Sequence, residues 1–278
     1  MSDRDPDPRL ARITVYPVKS LDGVDLDGAR FVSGGALEHD RTYALVDADG
    51  GYVNGKRERR VHRLRSEFDV ESRTLELSAP DRGSTAFDLT RDESGDPQDT
   101  GALTEWLSAY FGYPVSLRHD RTHGFPDDTD ASGPTVISTA TIREVASWYP
   151  DISPDEMRRR LRANLEIGGV PAFWEDTLFD DRDHVVSFTV GDVEFEGVNP
   201  CQRCVVPSRD PDTGEETAGF QRRFVTRREE TMPPWSGGDW FDHTFRVMVN
   251  TRVEAVGGEP SVSIGDPVTV GETRPADR

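Results

Sequence analysis

Short runs in which apolar and polar residues alternate, each closed by a turn signal, recur along this chain and restrict it to a strand-rich fold. Leu10–Val18 sets Ile13, Val15 and Pro17 against Arg12, Thr14 and Tyr16. Thr42–Val46 and Gly51–Asn54 flank Asp47-Ala48-Asp49-Gly50 as a predicted hairpin. Phe68–Val70 and Thr74–Leu77 do the same around Glu71-Ser72-Arg73, and Val185–Val190 and Val193–Gly197 around Gly191-Asp192. Thr244–Val249, Val262–Ile264 and Val268–Val270 close the sequence. Helical signals are fewer. Ala102–Phe111 places Leu103, Trp106, Leu107 and Tyr110 on one face, and Thr141–Trp148 places Ile142, Val145 and Trp148 likewise. Ser153-Pro154-Asp155-Glu156 is a capping box with proline at the first helical position, so a helix begins at Pro154. It stops before Asn164-Leu165-Glu166-Ile167, which reads as a strand. The fold class expected is therefore α+β and strand-rich, with a small N-terminal region followed by a β-barrel-like domain.

Asp120–Pro134 is rich in Gly, Pro, Asp, Ser and Thr and reads as a linker or long loop. Arg91–Thr100 is a shorter loop of the same kind. The expected division is thus residues 8–125 and 132–272, with the first strands free to join the later domain.

The 278 residues carry a formal net charge of −19, which disfavours a nucleic-acid partner because no basic footprint is present. The 33 basic residues include two lysines, Lys19 and Lys56. This acid-rich, lysine-poor composition resembles that of halophilic proteins, whose self-repulsion is screened by salt. No apolar run approaches the ~18 residues that span a membrane. The acidic, proline-rich start Met1–Arg9 shows no signal peptide, so a cytoplasmic protein without membrane attachment is expected.

Both cysteines fall in Asn199-Pro200-Cys201-Gln202-Arg203-Cys204-Val205-Val206-Pro207, ahead of Asp210-Pro211-Asp212-Thr213-Gly214. A thiolate is a soft metal ligand, and the arginine between the two favours the thiolate form. A zinc site would need a second ligand pair, and the six histidines are scattered. A thioredoxin-type motif would open a helix, whereas a proline and a turn follow here. Spacing alone leaves two readings open, a pair of cysteines without a chemical role and one metal ligand. Lys19 stands out because the chain nearly excludes lysine, and a compact ammonium suits phosphate.

The run V-x-P-C-x-R-C-V-x-P-x-x-D-P-D-T-G resembles the signature of the MOSC family, with Tyr16-Pro17-Val18-Lys19-Ser20, His39-Asp40-Arg41 and Arg162-Ala163-Asn164 following the family pattern in order. The resemblance implies an N-terminal MOSC-associated β region ahead of a MOSC barrel. It implies that Cys204, not Cys201, is the metal ligand and catalytic residue, in a molybdenum cofactor (Mo-molybdopterin). Lys19, Ser20, Arg41, Arg162, Asn164, Gln202 and Arg203 would bind that cofactor. Alternation would put residues 162 and 164 on one strand face, whereas the residues taken alone also read as a helix C-terminus, with an arginine complementing the dipole and an asparagine cap.

The activity implied is that of an oxidoreductase, the reduction of a small N-hydroxylated substrate from N–OH to N–H. Electrons would come from an external donor of ferredoxin or flavoprotein type, since no cysteine follows Cys204 to hold a cluster. The alternative is a sulfur-carrier or cofactor-binding module. Pyridoxal phosphate is not expected. The D-P-D-T-G turn would support the cysteine loop rather than supply a base.

Overall fold

In the computed structural model the described residues are 7–90, 98–120, 122–236, 241, 243–253 and 260–276. They form an α+β, strand-rich fold with fifteen strands and four α-helices. Most of the start Met1–Arg9, and residues 91–97 of the loop expected at Arg91–Thr100, lie outside the described residues.

The largest sheet has eight strands. Its order is β15 (Val268–Pro275), β11 (His184–Val190), β12 (Val193–Gln202), β13 (Arg246–Val253), β9 (Val136–Ser138), β10 (Leu165–Gly168), β1 (Arg9–Val15) and β2 (Val24–Leu26). The N-terminal strands thus hydrogen-bond into the sheet built by the second half of the chain. β9 and β10 are parallel, while the other pairings are antiparallel. A parallel pair needs a long crossover. It is supplied by α2 (Thr139–Ser147) and α3 (Pro154–Leu161). Ser138 and Ser153 cap these helices, each hydroxyl accepting from a backbone N–H three residues on.

A second core lies over smaller sheets: β4 (Tyr43–Asp47) with β8 (Val115–His119), and β5 (Arg65–Asp69), β6 (Thr74–Ala79) and β7 (Gly83–Asp88). The helix α1 (Thr100–Phe111) covers it, burying Leu103, Leu107 and Phe111. β3 (Gly28–Arg30) pairs with β14 (Ser261–Ser263), so the runs on either side of Gly265-Asp266 do not form a hairpin with each other. A third cluster joins α2, α3, β13 and α4 (Phe220–Glu229) through Ile142, Met157, Phe220, Phe224 and Phe245.

The third cluster rests on buried charge. Arg228 is fully buried and donates to Asp176 at 2.5 Å and to the carbonyl of Arg246 at 3.0 Å. Beside it, Glu175 accepts from the N–H of Ser138 and the hydroxyl of Thr141, which ties the start of α2 to the segment 174–178. Burial, reinforced by Asp176, pushes the Glu175 carboxyl up to about 7. The folded state therefore holds this proton more tightly than the unfolded chain does. That stabilisation is present below the unfolded value of 4.5 and is lost as pH rises towards about 7. Unfolding free energy should fall by on the order of 2–3 kcal/mol between about pH 5 and 8. Denaturant titrations should give Glu175→Gln a flatter profile over that range. An equally steep loss in the variant would assign the dependence to another group.

Candidate functional site

The two halves of the chain meet around a cavity of about 610 Å³. Every residue singled out from the sequence lines it: Lys19, Ser20, Arg41, Arg162, Asn164, Gln202, Arg203 and Cys204. They arrive from four places in the chain, each through a local break in regular structure.

Lys19 and Ser20 follow β1, where the chain turns out of the sheet. Lys19 is 9% exposed, and its ammonium donates to the carbonyls of Phe125 (2.8 Å) and Pro126 (3.1 Å) and to Asp127 (2.7 Å). Its three N–H bonds are thus all directed at the segment read from sequence as a linker. Burial lowers its proton affinity, against the opposing pull of Asp127. Arg41 is paired with Asp40 and lies 3.5 Å from Asp127. Burial disfavours its charge, but the two carboxylates outweigh this and hold the proton more firmly than usual. The Asp127 carboxylate is itself opposed by burial, yet Arg41 and Lys19 hold its proton affinity well below the usual range.

Arg162 is the C-cap of α3 and adopts the left-handed conformation at φ 58°, and β10 begins at Leu165. The expected alternation of 162 and 164 along a strand is therefore corrected: a helix cap, not a pleat, turns Arg162 into the cavity. Its guanidinium stacks over the Tyr16 ring at 4.0 Å and makes no hydrogen bond or ion pair among the described residues. Burial lowers its proton affinity. Burial likewise pushes the Tyr16 phenol up to about 12, so the ring stays neutral beneath two cations, Arg162 and Arg41.

Asn164 reaches the cavity wall, but its amide is fully engaged by protein. Its oxygen accepts from the N–H and hydroxyl of Thr135, and its nitrogen donates to the Thr14 carbonyl and to Asp40. In this state it holds β1 against the β9 strand entry and orients Asp40.

The cysteine loop leaves β12 through two register shifts, between Gly197 and Asn199 and between Pro200 and Gln202. Bulges of this kind re-aim side chains, and Pro200 cannot donate to the ladder. Both thiols are free and half-buried, and both line the cavity. Arg203 donates to the Cys201 sulfur (3.0 Å) and the Leu161 carbonyl (2.9 Å). Gln202 is exposed and meets His243 at 3.2 Å. The following turn is closed by Asp210, which accepts from the N–H groups of Asp212 and Thr213. Arg159 holds Asp212 in a two-pronged pair at 2.7 and 3.0 Å, and Arg65 reaches it at 3.2 Å. The turn thus clamps the N-terminal half to α3 behind the cysteines.

Several residues in the site escaped the sequence reading. Asp127 looked like linker. Arg209 also lines the cavity, and its Nε, like that of Arg203, is buried without a hydrogen-bond partner among the described residues. Lys56 lines the cavity too, so both lysines of the chain face one space. Their rarity was the signal that could have found it.

Among the described residues no three His, Cys, Asp or Glu side chains cluster as metal ligands. A metal held at Cys204 would have to bring its other donors with it. Unpaired guanidinium donors and a soft thiol in one cavity fit an anionic organic group that carries such a metal. Among the described residues no helix is long and apolar enough to cross a membrane.

Comparison with known proteins gives consistent matches. Residues 7–113 match the family model described as the MOSC N-terminal beta barrel domain, and residues 129–269 match the MOSC domain. The human mitochondrial amidoxime-reducing component 1 is 23% identical over 236 residues, which is 74% of this chain and 67% of that protein. The molybdenum cofactor sulfurase of Drosophila yakuba is 26% identical over 234 residues, 76% of this chain but 29% of the sulfurase. Among solved structures, the YUAD protein from Bacillus subtilis aligns over 95% of this chain and 96% of its own at 13% identity, with a TM-score of 0.41.

Asp127 sits where a bound anion would compete for Lys19 and Arg41. Asp127→Asn should strengthen binding of pyrophosphate by about tenfold, the effect of removing one opposing charged hydrogen bond. Isothermal titration of the purified protein measures this. With the Asp127 side chain 62% exposed, stability should change by less than about 1 kcal/mol. Unchanged affinity would show that the carboxylate does not obstruct the cations.

Proposed function

We propose that this chain, which belongs to the MOSC family, binds a molybdenum cofactor through Cys204 and uses it to reduce small N-hydroxylated substrates. One observation carries the reading. The Cys204 thiol shares a cavity with the cations of Lys19, Arg41 and Arg162, while no protein-only metal site exists among the described residues. The relatives named for reducing amidoximes give the substrate class.

When bound, the cofactor would supply the two-electron chemistry that converts N–OH to N–H with loss of water. The residues do the rest. Cys204 offers the sulfur ligand. Arg162, over the Tyr16 ring and without a hydrogen bond or ion pair among the described residues, donates to the pterin or its phosphate. Lys19 and Arg41 receive the phosphate once Asp127 yields its place, and Ser20 adds a hydroxyl beside them. Arg203 keeps Cys201 bonded and its loop fixed, which leaves Cys204 as the sulfur without a protein hydrogen bond among the described residues. Gln202 stands at the exposed rim. Asn164 acts through the residues it orients. Electrons come from an external donor of ferredoxin or flavoprotein type.

A sulfur-carrying role is the second reading. It is favoured by the Arg203 contact to Cys201, which places a second hydrogen-bonded sulfur in the same cavity, and by the relatives named as cofactor sulfurases.

Natively purified protein should contain stoichiometric molybdenum and pterin. Cys204→Ser should abolish molybdenum-dependent reduction of an amidoxime, while Cys201→Ser keeps a measurable part of it. Chemically reduced protein should convert one equivalent and turn over when a one-electron carrier is added. The rate should need high salt, which screens a net charge of −19. Loss in Cys201→Ser with retention in Cys204→Ser would overturn the ligand assignment. Metal-free protein carrying a persulfide would establish the carrier reading instead.

A further inference from the structure

A second cleft, of about 270 Å³, opens on the outer face of α4. It is lined by Ala218, Gly219, Arg222, Arg223, Thr226 and Arg227. Every charged residue in it is an arginine, on a protein whose net charge is −19. Arg222, Arg223 and Arg227 are all exposed. The acidic residues of this helix end, Glu229 and Glu230, lie beyond the cleft, and Glu230 reaches Arg227 at 3.3 Å.

Contacts lead from the cleft through α4 to the cysteine loop. Arg223 donates to the Trp148 carbonyl at 2.9 Å and lies over the Tyr149 ring at 5.7 Å. Tyr149 stacks on Phe220 with ring centres 4.4 Å apart. Phe220 and Phe224 meet Phe245 at 6.4 and 4.8 Å. The Phe245 carbonyl accepts the backbone N–H of Arg203 at 2.8 Å, one residue before Cys204. The cleft is thus linked through Tyr149, Phe220, Phe224 and Phe245 to the backbone of Arg203, which lines the cavity.

We propose that this arginine cleft on α4 is the docking site of an acidic one-electron carrier protein. The proposal rests on the reductase reading and names the partner that supplies its electrons. An extended polyanion, such as a membrane or a nucleic acid, would face the whole acidic surface. A compact carrier with a local acidic patch faces the cleft alone, and local complementarity of this kind governs encounter rate and partner choice. Two reduced carriers each lose one electron. With two solvent protons, those electrons break the N–O bond, form an N–H bond and release water.

The test uses the holoprotein, an amidoxime substrate and two donors: an acidic [2Fe–2S] ferredoxin and reduced methyl viologen, a small dication that does not need the cleft. In Arg222→Glu/Arg227→Glu the KM for ferredoxin should rise roughly tenfold and lose its salt dependence. The viologen-driven rate should stay within about twofold of the unaltered protein, since neither arginine lines the first cavity. Oxidised ferredoxin titrated into the protein by calorimetry should bind the unaltered protein and not the variant. Equal ferredoxin kinetics and equal binding in the two proteins would overturn the docking site. Binding to anionic lipid vesicles in place of ferredoxin, abolished by the same substitutions, would overturn it as well. Failure of viologen to drive any turnover would strike the reductase reading, whereas the calorimetric comparison would still decide the docking site.

Discussion

A cluster of cations gathered in one half-enclosed cavity is the constraint around which the rest of this molecule is arranged. Lys19, Arg41, Arg162 and Arg203 all border the same space, and bringing like charges out of water is costly unless each is paired or bonded. The fold meets the requirement differently for each. Lys19 binds two carbonyls and Asp127, and Arg41 has Asp40. Arg203 has two sulfurs and a carbonyl. Among the described residues Arg162 has the face of Tyr16 and nothing stronger. The pairing is least complete where the donors point into the cavity. The remaining deficit is what an anionic ligand would satisfy.

Backbone strain marks the same place. Ser20, Arg41 and Arg162 have φ of 76°, 49° and 58°, in the region that residues with a Cβ rarely occupy. Met248, whose sulfur accepts from Arg203, has φ 66°. Such residues are held by their surroundings rather than by preference, and they cluster where a site needs side chains aimed in directions regular structure does not offer. Here the surroundings are the Asn164 amide network, the clamp of Arg159 and Arg65 on the D-P-D-T-G turn, and the bulges of β12. The same scaffolding joins the halves of the chain, so the geometry of the cavity and the union of the two halves are one property.

The strand-rich character was legible because its signal is local: alternation shows in any window of a few residues. The α3 capping box was legible for the same reason, as Ser153, Pro154 and Glu156 are sequence neighbours. Short strands such as β9 and β3 were not. They are three residues long, and they exist because partners distant in sequence supply their hydrogen bonds. The Arg162–Asn164 segment shows the limit sharply. Its composition suits both a strand entry and a helix cap, and the αL turn was settled by β10 pairing with β1 and β9, which the tripeptide does not encode.

By itself the sequence determined the strand-dominated class, the start of α3, the acidic composition and the presence of a C-x-R-C loop with its turn. It also flagged Lys19 through rarity. The tertiary structure alone decided that four segments far apart in the chain line one cavity, that both lysines face it, and that Asp127 leaves its apparent linker to sit between Lys19 and Arg41. The physical reason is the range of the interactions. Propensity and capping act within a turn or two of backbone, whereas the pairing of buried charges is set by whichever groups the closed sheet brings within a few ångströms.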